Sequence, residues 1–287
     1  MAEHRTTHDP FAPPRSRVGG DDAPRPRGAR AGGAWIERGF RMFSASPVPW
    51  LWIAAVYLLL QVIFTAVPFV SSLASLVVSS LLGPVLQAGV LLGCANQQRT
   101  GAMAFKALLS GFSHPLLGRL VALGAVSLGI WLLVFIAIFM LIALLFGAAL
   151  LGVDGAAADA LANGDPQALA DLFAVFAGSV VGLLLVTTVA GALTFVATAA
   201  MWLATARIVL GGATITEALA DSLTACLRAW PALLLYVPCM LGLLLLACLP
   251  LFLGLLAFIP LYFASLYAAH EDMFDSRPAP HPMPRGH

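Results

Sequence analysis

Charged residues are scarce in this sequence. Only 10% of the 287 residues are Asp, Glu, Lys or Arg, whereas an ordinary soluble domain has about 25%. Lysine is almost missing, because Lys106 is the only one among 15 basic residues. The shortage of charge excludes a soluble globular protein, and the 60% hydrophobic content excludes a disordered chain. With a mean hydropathy of +0.93, the composition predicts a polytopic membrane protein.

Cysteine and recognisable catalytic motifs are scarce too. The four cysteines, Cys94, Cys226, Cys239 and Cys248, have no C-x-x-C spacing, so we expect no disulfide. The chain contains no nucleotide-binding glycine loop, serine nucleophile elbow or zinc-protease motif. We therefore expect no bound cofactor, no nucleic-acid partner and no enzymatic activity.

The two ends of the chain are polar and rich in proline and glycine. Residues 1–33 and 276–287 have no apolar periodicity and are predicted to be disordered cytoplasmic tails. The first tail contains six arginines and is either simply solvated or loosely attracted to anionic lipid headgroups. No cleavable leader precedes the first apolar run, which is expected to act as a signal anchor. The preference for Arg over Lys, with abundant Ala and Gly, favours a bacterium with a GC-rich genome.

Six apolar runs are long enough to cross a hydrocarbon core of about 30 Å, which takes about 20 helical residues. They cover residues 48–66, 69–95, 116–151, 172–209, 232–249 and 251–269. The third run would make a helix of about 54 Å at the usual rise per residue. We therefore expect the third and fourth spans to be long tilted helices or helices that project beyond the bilayer.

The placement of basic residues gives the orientation of these spans. If the N-terminus lies inside, every Lys and Arg falls on the inner side of the membrane. The single long outer loop, residues 152–171, then contains only acidic charges, such as Asp154 and Asp165. The positive-inside rule therefore predicts cytoplasmic N- and C-termini in a multi-pass protein of the bacterial inner membrane.

A threefold pattern repeats along the membrane domain, residues 34–275. Each unit has a short amphipathic segment, a proline, a span, an outer turn and a second span. The units cover about residues 34–98, 102–210 and 214–275, and their first spans follow Pro47, Pro115 and Pro231. Apolar residues at spacings of three and four predict that the segments are interfacial helices. All three units start inside, which predicts parallel repeats in an all-α bundle of six transmembrane helices.

Other prolines and a capping motif support this repeat. Pro68 and Pro250 mark the outer turns of units one and three, and Pro84 and Pro260 interrupt the second helices of those units. The third amphipathic segment opens with Thr214-Ile-Thr-Glu217. This is a capping box, in which the threonine hydroxyl and the glutamate carboxylate satisfy free backbone amides.

Small residues recur at four-residue spacing in two of the spans. Gly89 and Gly93 form one such pair, and Gly178 and Gly182 form another. Such pairs permit close helix contact. The contact is either within the chain or across the face of a homo-oligomer or another membrane protein.

Ionisable residues are missing from the middle of every predicted span. Carriers coupled to protons or ions usually place such groups there, so the sequence argues against a coupled transporter. Milder polar residues such as Gln61 and Gln87 are present. Interhelical hydrogen bonds explain them, and a polar substrate path is the alternative.

One cluster of titratable residues follows the last span. His270, Glu271 and Asp272 are consecutive, and His114 lies at the inner end of the third span. Histidine and carboxylates can bind a metal or act as acid and base. Alternatively, the acids pair with arginines of the interfacial helices, each exposed pair contributing less than about 1 kcal/mol.

Aromatic, glycine and proline positions recur in a recognisable order through the membrane domain. They are Trp35-Ile-x-x-Gly-Phe40-x-x-Phe43, Pro47, Trp50, Leu82-Gly-Pro84, Ala88-Gly89, Leu109-x-Gly-Phe112, Tyr267 and Asp272-x-Phe274. The pattern resembles a proteobacterial family of uncharacterised six-span inner-membrane proteins. That family is distantly similar to the membrane domain attached to some bacterial glycerophosphodiester phosphodiesterases. The resemblance implies the fold and the location but no activity, and the chain carries no phosphodiesterase domain.

These features favour a non-enzymatic membrane protein that acts as a scaffold, assembly factor or regulator for membrane components or lipids. A passive or lipid-type transporter is the alternative, because proline-interrupted helices can expose backbone at a cavity. A membrane enzyme that uses His270 with Glu271 or Asp272 is a second alternative. In each case the lipid bilayer is an expected partner.

Overall fold

The computed structural model describes residues 28–66, 72–113, 115–151, 163, 166–250 and 252–274. All regular secondary structure in these ranges is helical, which confirms the all-α prediction. The helices are α1 (Arg30–Ala45), α2 (Pro47–Ala66), α3 (Ser72–Thr100), α4 (Ala107–Ser110), α5 (Leu117–Leu151), α6 (Pro166–Trp202), α7 (Ala204–Gly211), α8 (Ile215–Arg228), α9 (Trp230–Cys248) and α10 (Leu255–Phe274).

Several of these helices are long and apolar enough to cross a membrane. Four stretches qualify within the described residues: Val77–Thr100, Leu117–Leu144, Val180–Gly211 and Trp230–Cys248. A fifth is added if α1 and α2, which meet at a bend of 104°, count as one broken span. The protein is therefore a membrane-embedded helical protein. The helix α10 does not qualify alone, because its 20 residues include His270, Glu271 and Asp272.

The first amphipathic segment forms a helix that packs into the protein. Trp35 in α1 is fully buried. Its ring centre lies 6.2 Å from that of Trp202 and 5.8 Å from that of Tyr236. These three large rings join α1 to α6 and α9, so the segment is anchored to the bundle by aromatic contacts.

Two glycines let α1 approach its neighbours closely. A Cβ at Gly32 would collide with the carbonyl oxygen of Ala232 in α9. A Cβ at Gly39 would lie 2.8 Å from the amide nitrogen of Ser265 in α10. Both contacts are between backbones, so neither position can accept a side chain without a shift of a helix.

The structure moves two predicted boundaries. The helix α1 begins at Arg30, so the end of the predicted tail 1–33 is wrong, because the contacts of Gly32 order this stretch. The helix α6 begins at Pro166, so the predicted loop 152–171 is too long, since proline is favoured in the first turn of a helix. Residues 1–27 and 276–287 of the two predicted tails lie outside the described part of the chain.

The second amphipathic segment forms a shorter helix than its pattern predicts. It contains only the four residues of α4. Two glycines of α3 make room for it: a Cβ at Gly89 would lie 2.6 Å from the carbonyl oxygen of Ala107, and one at Gly93 would lie 2.6 Å from Ala107 Cβ. The first predicted small-residue pair therefore lies at a close contact within the chain.

The third amphipathic segment forms α8 and begins with the predicted capping box. The Thr214 hydroxyl accepts a hydrogen bond from the Glu217 amide at 3.4 Å, and Glu217 Oε2 accepts one from the Thr214 amide at 2.9 Å. Hydrogen bonding of the Glu217 carboxylate, first to the Thr214 backbone amide and then to the Thr214 side chain, lowers the pKa of Glu217. The motif is confirmed, because both free amides are satisfied.

The fourth apolar run is broken at Leu203, which the sequence did not predict. The helix α6 ends at Trp202 and α7 begins at Ala204. The buried hydroxyl of Ser222 in α8 accepts from the Leu203 amide at 2.9 Å and donates to the Ala199 carbonyl at 2.7 Å. In a continuous helix that amide and that carbonyl would bond to each other, so Ser222 inserts into the helical ladder and causes the break.

Several prolines lie at the ends of helices, as predicted. Pro47 begins α2 and Pro231 is the second residue of α9. Pro115 precedes α5 by two residues, and Pro250 lies in the turn between α9 and α10. Proline is tolerated at a helix start because its missing N–H is not needed there.

Other prolines lie inside helices. Pro84 lies inside α3 and Pro260 inside α10, and both helices continue through the proline, so the predicted interruptions are not breaks. Pro238 lies inside α9 and was not predicted as an interruption. Pro68 lies outside the described residues.

The helices α5 and α6 pack against each other as a long hairpin. They have 35 and 37 residues, which gives lengths of about 53 and 56 Å. Both exceed the hydrocarbon core, as expected from the long apolar runs. Within Leu117–Leu144, the most apolar window has no buried residue. This surface therefore faces lipid or another protein.

Candidate functional site

A polar network surrounds the C-terminal end of α10. The indole N–H of Trp35 donates a hydrogen bond to Asp272 Oδ2 over 3.0 Å. Glu271 accepts one from Gln98 Nε2 at 2.6 Å and one from the Tyr267 hydroxyl at 3.0 Å. We call these five residues the α10 network. It connects α1 and α3 to the last helix, so it holds distant parts of the chain together.

Gln97 extends these connections to α2. Its Oε1 accepts a hydrogen bond from Trp50 Nε1 at 3.0 Å, and its Nε2 donates to the Met42 carbonyl at 2.7 Å. Gln97 is buried, and a buried amide without partners would cost free energy. Gln97 was not among the predicted site residues, although a polar residue on an apolar helix face is a usable signal.

Arg207 in α7 links three elements at the same end of the bundle. Its guanidinium donates to Asp221 Oδ2 in α8, over 2.9 Å from Nε. Its Cζ lies 4.4 Å above the ring centre of Phe274 in α10. The ion pair is partly buried, so solvent screens it less than a surface pair. It therefore fixes α7 and α8 against the end of α10.

His270 is buried next to this pair, just beyond the last predicted span. It is 8% exposed, and its Nε2 has no hydrogen-bond partner in the described part of the chain. Its ring centre lies 5.2 Å from that of Phe274. Burial and, secondarily, the charge of Arg207 lower the pKa of His270 to about 3. The imidazole is therefore neutral at physiological pH.

The predicted His and acid cluster does not converge on one point. His270 lies next to Phe274, whereas Glu271 and Asp272 take the separate partners described above. Consecutive residues on a helix point in different directions. Among the described residues, no group of three or more His, Cys, Asp or Glu could hold a metal ion. His114 lies outside the described part.

The other predicted residues lie apart from the α10 network. Gln87 Oε1 accepts a hydrogen bond from Thr205 Oγ1 at 3.1 Å, which joins α3 to α7. Gln61 lies in α2, and its side chain is outside the description. Gly182 is buried, whereas a Cβ at Gly178 would have no neighbour within 4 Å. Both the intrachain and the dimer explanation of the second glycine pair therefore stay open.

An apolar cavity of about 570 Å³ lies between α6 and α9, with α10 on its third side. We call it the lateral groove. Its walls include Phe195 and Trp202 from α6, Val237 and Leu241 from α9, and Phe258 from α10. Val237 and Leu241 are more than half exposed, so the groove is open to the surroundings of the bundle. Its volume falls in the range of ligand sites, about 300–1,000 Å³.

Comparison with known proteins finds no matching family model, no significantly similar curated protein and no significantly similar solved structure. The function of this chain is therefore inferred from its own geometry. The two relevant features are the polar contacts at the end of α10 and the lateral groove.

Proposed function

We propose that the chain crosses the bacterial inner membrane six times, with both termini in the cytoplasm and three parallel repeats. The four apolar stretches, together with α2 and α10, supply six spans. The one-sided distribution of Lys and Arg supports the orientation. Reporter fusions test it: alkaline phosphatase should be active at position 163, and fluorescent protein should fluoresce at the C-terminus. Phosphatase activity at the C-terminus would contradict the proposal.

The chain is also proposed to share the fold of the six-span family that its motifs resemble. Trp35 and Asp272 are both motif positions, and they bond to each other. A third, Trp50, bonds to Gln97. These contacts hold helices together. They support the interpretation that the motif residues stabilise the fold and do not catalyse a reaction.

The proposed function is that of a non-catalytic scaffold or regulatory protein whose membrane partner is lipid. The lateral groove is the observation that carries this proposal, because it is apolar, open at its side and large enough for a ligand. A hydrocarbon chain from the surrounding bilayer matches such walls and needs no polar partner. A bound lipid would bridge α6 and α9, so it could influence the position of the long hairpin.

The polar residues at the end of α10 support the structural part of this proposal. Glu271 and Asp272 each accept hydrogen bonds from other helices. Arg207 is engaged by Asp221 and by the ring of Phe274. These groups hold helices together, so the same residues are poorly placed to act jointly on a substrate.

Co-purification tests the proposed function. The full chain should be extracted in a mild detergent, purified by affinity and analysed for bound lipid and protein. We expect a reproducible, stoichiometric lipid or a membrane-protein partner that persists through washing. Recovery of the bare monomer in repeated preparations would contradict the proposal.

A lipid-type transporter is the second candidate. It is favoured by Pro84 inside α3 and by the break at Leu203, because both free backbone groups that can line a cavity at membrane depth. Liposomes containing the purified protein test it with fluorescent lipids and a panel of solutes. Lipid scrambling or solute flux above that of empty liposomes would support transport, and no flux across the panel would exclude it.

A further inference from the structure

A second cavity, lined by hydroxyl groups, lies deeper in the bundle. It has a volume of about 290 Å³ and is bounded by α2, α3, α5, α6, α7 and α10. Its polar side chains are those of Tyr57, Ser79, Ser80, Gln87, Ser127, Thr205 and Tyr262. We call it the hydroxyl cavity. It is separate from the α10 network, and its lining is much more polar than that of the lateral groove.

One helix break and two prolines inside helices lie at or near the hydroxyl cavity. Pro84 lines it and has no N–H, so the carbonyl of Ser80 loses its helical donor. Met201 and Thr205, which lie on either side of the break between α6 and α7, also line it. Pro260 precedes its lining residue Tyr262 by two positions in α10. Discontinuous helices at membrane depth characteristically surround binding sites.

The hydroxyl cavity lies well inside the level of the polar residues near the C-terminal ends of α3 and α10. Gln87 is ten residues before Gln97 along α3, which corresponds to about 15 Å. Tyr262 is eight residues before His270 along α10, which corresponds to about 12 Å. Half of a hydrocarbon core of about 30 Å is about 15 Å. Both distances therefore place the cavity near the middle of the membrane.

The lining chemistry selects the class of ligand. None of the lining residues is Asp, Glu, Lys, Arg or His, so a charged ligand would find no counter-charge at a depth where charge is costly. Each hydroxyl can both donate and accept a hydrogen bond, and an amide has both functions. Phe263 and Met201 add apolar wall beside these groups. This combination of hydroxyl groups and apolar surface suits a ligand that carries hydroxyl groups on a carbon backbone.

The size of the cavity fits the same class. At about 30 Å³ for the share of one water, the space corresponds to roughly ten waters. Thr205 is almost fully buried and bonds to Gln87, which fixes the wall that the two residues form. We propose that the hydroxyl cavity is a binding site for a small uncharged polyol.

Gly83 offers a way to fill the site without disturbing the fold. It lines the hydroxyl cavity, and a Cβ built on it meets no atom within 4 Å. Gly129 in α5 has the same free space and does not line the cavity. Gly83→Leu and Gly129→Leu are therefore a matched pair, and Ser127→Leu fills the same cavity from another helix.

Saturation-transfer NMR on the full chain in nanodiscs, with erythritol as the probe and empty nanodiscs as the blank, tests the proposal. Wild type and Gly129→Leu should give a saturable signal, and Gly83→Leu and Ser127→Leu should bind roughly tenfold more weakly, a loss of about 1.4 kcal/mol. The anion erythronate should not compete. Size-exclusion profiles and Tm values verify that each variant is folded. The proposal is overturned if wild type gives no saturable signal, if both cavity variants bind like wild type, or if erythronate binds equally well.

Discussion

The indole nitrogen of Trp35 and the carboxylate of Asp272 lie 3.0 Å apart, although 237 positions separate them in the chain. The bond joins the first described helix to the last one. It lies beside the cluster of tilted rings formed by Trp35, Trp202 and Tyr236. The hydrogen bond between the buried Trp35 and Asp272 therefore connects the beginning of the membrane domain to its end.

Replacing Trp35 by Phe should destabilise the protein. The substitution keeps an aromatic ring but removes a donor from Asp272, which should cost about 1–3 kcal/mol. The measurement is the Tm of the purified protein in detergent. Trp52→Phe is the control, since Trp52 is exposed in α2. Equal Tm values for the two variants would contradict the structural role of this bond.

Ser222→Ala should destabilise the junction of α6 and α7. It removes the hydroxyl that satisfies the Leu203 amide and is one of the two donors to the Ala199 carbonyl, the other being Cys226 Sγ at 3.6 Å, so the unpaired buried amide should cost about 1–3 kcal/mol. Thermal unfolding measures the effect. Thr224→Ala in the same helix is the control, because the Thr224 hydroxyl bonds only to the carbonyl of Ala220 within α8. If both variants lose equal stability, Ser222 does not cause the break.

Two neighbouring glycines in α1 should respond in opposite ways to alanine. Gly32→Ala places a methyl group against the Ala232 carbonyl and should lower Tm clearly. Gly33→Ala meets only Leu235 Cδ2 at 3.7 Å, and alanine in a helix gains about 0.5–1 kcal/mol over glycine. A Tm for Gly32→Ala at or above that of Gly33→Ala would show that α1 is not docked on α9.

Stability should depend on pH through His270. Its pKa is about 3 in the folded protein, because of burial and the charge of Arg207, against 6.5 when exposed. The unfolded chain therefore takes up a proton below pH 6.5 that the folded protein does not, so stability is full above that pH and falls as pH drops. The loss is at most about 1.4 kcal/mol per pH unit. Tm of His270→Gln should fall less than that of wild type between about pH 7 and 5, and parallel curves would contradict this.

Local signals in the sequence predicted the parts of the fold that depend on near neighbours. The capping box of Thr214 and Glu217 was recognisable because its partners are three residues apart. Pro47 marked the start of α2 because the restriction acts on its own backbone. The long α5 followed directly from its uninterrupted apolar run.

Contacts between residues that are far apart in the chain could not be predicted from the sequence. The break at Leu203 carries no proline or glycine, since it depends on a hydroxyl supplied from α8 by Ser222. The acids Glu271 and Asp272 were identified as candidates, but not their partners Gln98 and Trp35, because pairing requires the fold. The same reason explains why the lateral groove was not predicted, and why a polar path at Gln87 was only one of two alternatives with no defined set of lining residues.

Native mass spectrometry of the protein released from nanodiscs tests directly whether the lateral groove binds lipid. Val237→Trp fills the mouth of the lateral groove, whereas Leu234→Trp introduces the same side chain at an exposed position of α9 outside it. The account predicts that wild type and Leu234→Trp retain bound lipid at equal stoichiometry and that Val237→Trp loses it. Equal lipid retention by all three proteins, or none in wild type, would contradict the assignment of the groove to lipid.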